Sequence, residues 1–230
     1  MRRGLTLVEL LVLVFVLVVA VAVLLGALES SYESARRAHC ANAHQQITLA
    51  LLNYEAAHKQ FPGYRQELAG HEAGWGVMIL PYIDEGDVWW NWEAGKPQKI
   101  LLEVMLCPSD RPETLGPADG PCSYNVNTKV CMNGEGLSSD SIKSKDRTAT
   151  TLLLGENLRV DKAHSWWDTD PLKVGFTVGH MQDNLRSHHG NGALVGWCNG
   201  RVSFLRDDIG DEVYVHIVDP DLEWQADESP

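Results

Sequence analysis

Five cysteines, at 40, 107, 122, 131 and 198, are the first residues that could carry chemistry, and no two of them form a C-x-x-C pair. That spacing does not suit a zinc ribbon or a thioredoxin-like redox pair. In an oxidising compartment the same residues suit disulfides. Cys122 and Cys131 close a short polar stretch, CSYNVNTKVC, and are the first candidates for a bridge; Cys40 and Cys107 are the second, with Cys198 left over. Histidines gather at His180, His188 and His189, with His164 upstream. A transition metal needs three or four convergent ligands, and adjacent His188 and His189 would point to opposite faces of a strand, so no metal site is expected. His189 is read instead as hydrogen-bonded near a hairpin, orienting its loop.

Acidic side chains recur at Asp207, Asp208, Asp211 and Glu212, with Asp219 and Asp221 beyond. Oxygen-rich loops can hold calcium, but this stretch lacks EF-hand spacing, so solvated charge is the default and calcium the alternative. Trp89, Trp90 and Trp92 are close-set, as are Trp166 and Trp167. Aromatics this dense suit a carbohydrate platform, a subunit interface or a core, with Trp90 or Trp92 expected to be partly exposed. There is no G-x-S-x-G, no H-E-x-x-H and no glycine-rich phosphate loop, and no pair of carboxylates is singled out for acid–base work. An enzyme is not expected.

One carboxylate stands in an unusual place. Glu9 lies just ahead of an uncharged apolar run, Leu10 to Leu28, after an N-terminal Met-Arg-Arg-Gly. At about 1.5 Å rise per residue that run nearly matches the ~30 Å hydrocarbon layer of a bilayer. A signal peptide would have a shorter apolar stretch. An acid within a spanning helix costs roughly 2.5–3.5 kcal/mol near the centre and less at the interface, and usually marks function. The plainer alternative is a Glu9 that snorkels to the interface beside Arg2 and Arg3. Those arginines also set orientation, with the N-terminus cytoplasmic and the remainder exported.

The elements that position these residues follow from pattern. Glu29 to Lys59 holds no proline or glycine, and Ile47, Leu51 and Tyr54 fall at i, i+4 and i+7, with Cys40 and Ala43 extending the stripe. This predicts a helix running on from the apolar segment to Lys59, with a break near Gly26 as the alternative, and stopped by Phe61-Pro62-Gly63. Gly74–Ile83 holds a strand or short helix. Pro112 to Asn127 reads mostly as loop, Thr150–Leu154 as a buried strand and Phe176–Val178 as another. Ala193–Trp197 and Arg201–Leu205 flank Asn199-Gly200, the strongest short hairpin signal, because both residues tolerate positive φ. The formal charge of −12 argues against nucleic acid and anionic lipid surfaces as partners.

Two resemblances attach to these residues. Gly4-Leu5-Thr6-Leu7-Val8-Glu9 resembles the cleavage and methylation motif of type IV pilins and type II secretion pseudopilins, with Leu5 where phenylalanine is commoner. The resemblance implies a prepilin peptidase that cuts after Gly4, methylates Leu5 and leaves Glu9 as the fifth mature residue. Glu9 would then meet the terminal amine of a neighbouring subunit and set register. Some pseudopilins bind calcium; no other cofactor is implied.

The second is to a bacterial family of prepilin-type proteins with a C-terminal H-x9-D-G motif. It rests on the helix text Arg37 to Ile47, Asn53-Tyr54, Phe61-Pro62, Gly74-Trp75, Leu80-Pro81-Tyr82, Cys107-Pro108-Ser109-Asp110 and Leu153-Leu154-Gly155-Glu156. His189, nine residues, then Asn199-Gly200 matches the final motif with Asn in place of Asp, which suits a turn better than catalysis.

The expected fold is α+β and pilin-like: one long N-terminal helix on a mainly antiparallel sheet domain. Residues 1–4 form a leader, 5–28 a membrane helix, 29–62 its amphipathic continuation and 63–230 the exported domain. The expected function is a pseudopilin or minor pilin-like subunit of the inner membrane, with other pilin-like subunits as partners. The alternative is a membrane-tethered binding module that does not polymerise.

Overall fold

The computed structural model of the protein describes residues 7–109, 119–143, 147–157, 164–177, 179–187, 189 and 191–222, with the backbone alone at 24–31, 33 and 182. Gly4 and Leu5 lie outside the described residues. The chain divides into two compact units, Met1–Ala38 and His39–Pro230.

Helix α1 (Leu7–His58) runs through Gly26. Glu9 is in its first turn, where a negative charge suits the positive end of the helix dipole. Every described side chain from Leu7 to Val23 is exposed. Among the described residues no helix is long and apolar enough to cross a membrane. The described apolar side chains stop at Val23, whereas the uncharged run in the sequence continues to Leu28. The helix ends where Lys59 turns left-handed (φ 68°) and its N–H reaches back to the Glu55 carbonyl at 2.6 Å.

In the second unit a hairpin of β1 (Arg65–Leu68) and β2 (His71–Gly74) leads into α2 (Trp75–Met78), a 3₁₀ turn at Leu80–Tyr82 and α3 (Gly86–Glu93). The strand-or-helix segment around Val77 is thus helical. Then come β3 (Pro121–Cys122), β4 (Tyr124–Asn127), α4 (Ser139–Lys143), β5 (Leu152–Glu156) and β6 (His164–Ser165). The chain continues through α5 (Pro171–Val174), β7 (Gly175–Phe176), α6 (Met181–Asn184), β8 (Gly192–Trp197), β9 (Val202–Arg206) and α7 (Asp211–Val218). The main sheet has the order β7-β4-β5-β8-β9, antiparallel except for β4 with β7. The architecture is α+β, with an N-terminal helix and a mainly antiparallel sheet.

Alternation sorts the sheet's two faces. Tyr124, Val126 and Leu154 pack with Ile47, Ala50, Leu51 and Tyr54 of α1 in one core. Leu152, Ala193, Val195 and Trp197 pack with Tyr214 and Val218 of α7 in another. A register shift between Leu152 and Leu154 fits three consecutive leucines into β5, so Leu154 and Glu156 share the α1 face.

Tyr124–Asn127 is an interior strand, not loop, because its two polar residues are buried and used. Asn127 Nδ2 donates to the Leu152 carbonyl at 2.7 Å and the Val218 carbonyl at 2.6 Å, tying β5 to α7. Asn125 Nδ2 donates to the Lys173 and Gly175 carbonyls at the crossover into β7. The same strand overturns the Cys122–Cys131 bridge: both are buried thiols outside any disulfide. Extended chain from Cys122 to Asn127 covers about 16 Å, well past disulfide reach, before the turn that holds Cys131.

Candidate functional site

Four motifs that are far apart in sequence meet on the α1 face of the sheet. Cys40 comes from α1, Cys107 from the loop after the 3₁₀ turn Glu103–Met105, Glu156 from the end of β5, and His189 from the segment before β8. All four side chains are buried, and one ligand-type atom from each lies within 4.8 Å of every other.

Cys40 and Cys107 are disulfide-bonded, with Cα atoms 5.0 Å apart, and the bridge closes a separation of 67 residues. The Cys107 N–H donates to Ser123 Oγ at 3.0 Å, and the Ser123 N–H donates to the Met105 carbonyl at 2.9 Å. These two bonds fix the loop against the residue between β3 and β4. Glu156 Oε2 accepts the Leu194 N–H at 2.9 Å, which turns Oε1 toward the His189 ring, 3.8 Å from Nε2. His189 Nε2 is 3.6 Å from Cys107 Sγ, and its own N–H donates to Ser187 Oγ at 3.1 Å. Leu194 packs with both cysteines, and Ala41, Val202 and Phe204 close the apolar wall. A carboxylate and an imidazole at 0 % side-chain exposure are therefore held beside a sulfur pair. Burying such groups is tolerable only when each is paired and hydrogen-bonded.

Below this cluster α1 meets the sheet closely. His44 is fully buried; its Nδ1 lies 3.4 Å from Thr48 Oγ1 and its ring stands edge-on to Tyr124. Burial lowers the His44 pKa to about 3, so the ring is neutral in the folded chain. Gly196 of β8 lets this contact form, because a Cβ there would lie 2.3 Å from Thr48 Oγ1.

The C-terminal motif divides into two separate parts. Asn199 Oδ1 accepts the Arg201 N–H at 3.0 Å and Gly200 is left-handed (φ 88°), so the pair makes the β8–β9 turn. Gln45 of α1 donates to the Gly200 carbonyl at 3.0 Å, which docks that turn on the helix. His189 is at the other end of β8. A six-residue strand spans about 20 Å, so the motif spacing is the strand's own length, and His189 serves the cysteine cluster, not the turn.

The other candidates are dispersed. His188 lies outside the described residues. His164 Nε2 is 3.2 Å from the Tyr124 carbonyl, inside the fold. His180 is exposed and paired with Asp211 at 2.8 Å, which raises its pKa. Asp208 is gripped by Arg206 through two hydrogen bonds, which hold its carboxyl below the usual range. Of the close-set tryptophans, Trp92 is buried and Trp90 is 66 % exposed. Glu9 is exposed on α1. Sequence reasoning missed Glu156 as a site residue. Its signals were a lone acid ending the apolar run Leu152-Leu153-Leu154-Gly155 and its place in the Leu153-Leu154-Gly155-Glu156 stretch of the family resemblance.

No curated protein and no solved structure matches the chain. A family model does, over residues 30–153, which takes in Cys40, Cys107 and the first two residues of β5 and stops short of Glu156 and His189. That match covers more than half of the sequence, and the chain belongs to the family described as protein of unknown function, DUF1559.

Proposed function

We propose that the protein is a pseudopilin or minor pilin-like structural subunit. A prepilin peptidase removes residues 1–4 and methylates Leu5, and the subunit sits in the inner membrane with its C-terminal domain exported. The observation that carries this reading is α1 itself. One helix has apolar side chains exposed on every face from Leu10 to Val23, and from Cys40 onward it has a single buried stripe of Cys40, Ile47, Leu51 and Tyr54. A segment apolar all round needs lipid or other helices around it, whereas a striped one needs only a domain. Cleavage after Gly4 would create an amine at Leu5 that pairs with Glu9 of a neighbouring subunit. That pair fixes axial register, since either charge left alone in hydrocarbon is expensive. Repetition of such a head-to-tail contact makes an open filament.

The test is Glu9→Leu in the full chain. Processing and the fold of the exported domain should persist, while the protein disappears from sheared surface assemblies. Undiminished assembly in Glu9→Leu would contradict the reading.

A second reading, a tethered binding module, is favoured by two features of the second unit. Trp90 is largely exposed, and a polar cavity of about 530 Å³ is lined by Asp183, Arg186, Ser187, Asn191 and Asp207. If the wild type forms no higher-order assembly, this reading replaces the first.

A further inference from the structure

We propose that Cys40, Cys107, Glu156 and His189 form a binding site for one zinc-class divalent cation when the Cys40–Cys107 disulfide is reduced. The chemical types are those that zinc prefers: two thiolates, one imidazole and one carboxylate. Their placement also fits. A tetrahedral ion with bonds of about 2.0–2.3 Å separates its ligand atoms by roughly 3.3–3.8 Å. His189 Nε2 already stands 3.6 Å from Cys107 Sγ and 3.8 Å from Glu156 Oε1. All four ligating atoms lie within a 4.8 Å limit of one another, and all four residues are buried. The two sulfurs must part, from bonded contact to about 3.8 Å, and the remaining pairs, all inside 4.8 Å, draw in around the ion.

The surroundings support a metal over a solvated acid cluster. Glu156 is anchored through its second oxygen by the Leu194 N–H, and Cys107 is anchored by Ser123. Fixed outer contacts of this kind orient ligands and raise affinity. The apolar wall of Leu194, Val202 and Phe204 keeps water from competing for the ion. Calcium is a poor match, because two of the four donors are sulfur.

The chemistry balances in two steps. A dithiol reductant gives two electrons and two protons to the S–S bond, yielding two thiols and its own disulfide. The cation then binds both sulfurs as thiolates and displaces their two protons to solvent. A disulfide oxidant reverses the sequence: it takes two electrons from the sulfurs and two protons from solvent to become a dithiol, the Cys40–Cys107 bridge re-forms and the ion leaves. The cluster is thereby a covalent staple when oxidised and a metal staple when reduced, joining α1 to the same loop in both states.

The test uses the full chain in detergent, reduced with a phosphine and titrated with cobalt(II) alone. The expected result is one equivalent bound with thiolate-to-cobalt charge transfer and tetrahedral d–d bands, both erased by zinc and absent from the oxidised chain. Replacing Cys122, Cys131 and Cys198 with alanine should leave the signal intact. Glu156→Gln and His189→Ala should each weaken binding more than about tenfold. Should those variants fold poorly, zinc-edge X-ray absorption of the wild type decides, with two sulfur and two nitrogen or oxygen neighbours expected. Absence of a one-equivalent tetrahedral signal, a shell of three or four sulfurs, or indifference to both substitutions in folded protein would overturn the proposal.

Discussion

His44 has no charge in the folded chain because the space between α1 and the sheet gives a proton nowhere to be solvated. Its pKa falls to about 3 in the fold, against 6.5 for an unhindered histidine. The sign follows from proton counting. Below pH 6.5 the unfolded chain binds a proton that the folded chain refuses, so stability falls as pH drops and is fully present only above 6.5. Between pH 7 and pH 5 the loss is about 2 kcal/mol from this residue. Denaturant unfolding of the wild type and His44→Leu at the two pH values measures it: the variant should lose about 2 kcal/mol less over that interval. Equal losses would contradict the account. At this scale the sequence was only partly legible. Histidine at 44 and glutamate at 156 look like surface residues by type, and their burial depends on partners more than a hundred positions away, His44 against Gly196 and Glu156 against Cys40.

Elements were more readable where apolar alternation and turn chemistry agree. The β8–β9 hairpin follows from Asn199-Gly200 between apolar runs, and α1 from its stripe and its stop. β4 was hidden because YNVN has the composition of a loop; only Leu152 and Val218, reached through Asn127, make its amides structural. The Cys40–Cys107 bridge was among the expected pairings and forms, but Glu156 and His189 beside it were hidden, since spacing within one sequence segment says nothing about four segments folding onto one sheet face. How closely α1 sits on β8 can be tested directly. Gly196→Ala should cost about 1–3 kcal/mol, because its Cβ would lie 2.3 Å from Thr48 Oγ1. Adding Thr48→Ala removes that atom and should recover part of the loss, read as a coupling energy in a double-mutant cycle. Strict additivity would mean that the helix and strand do not meet there.

At the scale of the whole molecule, α1 is asked to satisfy two environments. From Leu10 to Val23 it has apolar surface on all sides, with one acid just before; from Cys40 onward it supplies a core stripe, a disulfide and a hydrogen bond to the β8–β9 turn. Membership of the DUF1559 family fixes kinship over residues 30–153, and the proposed assembly role rests on the helix that begins before that stretch. The central claim, that this helix starts as a processed pilin-like terminus, has one direct test. Intact mass and N-terminal sequencing of the protein recovered from membranes of its native host should show residues 1–4 removed and one methyl group on Leu5. Gly4→Val should abolish both changes. A mature chain that still begins at Met1, or normal cleavage in Gly4→Val, would contradict the account.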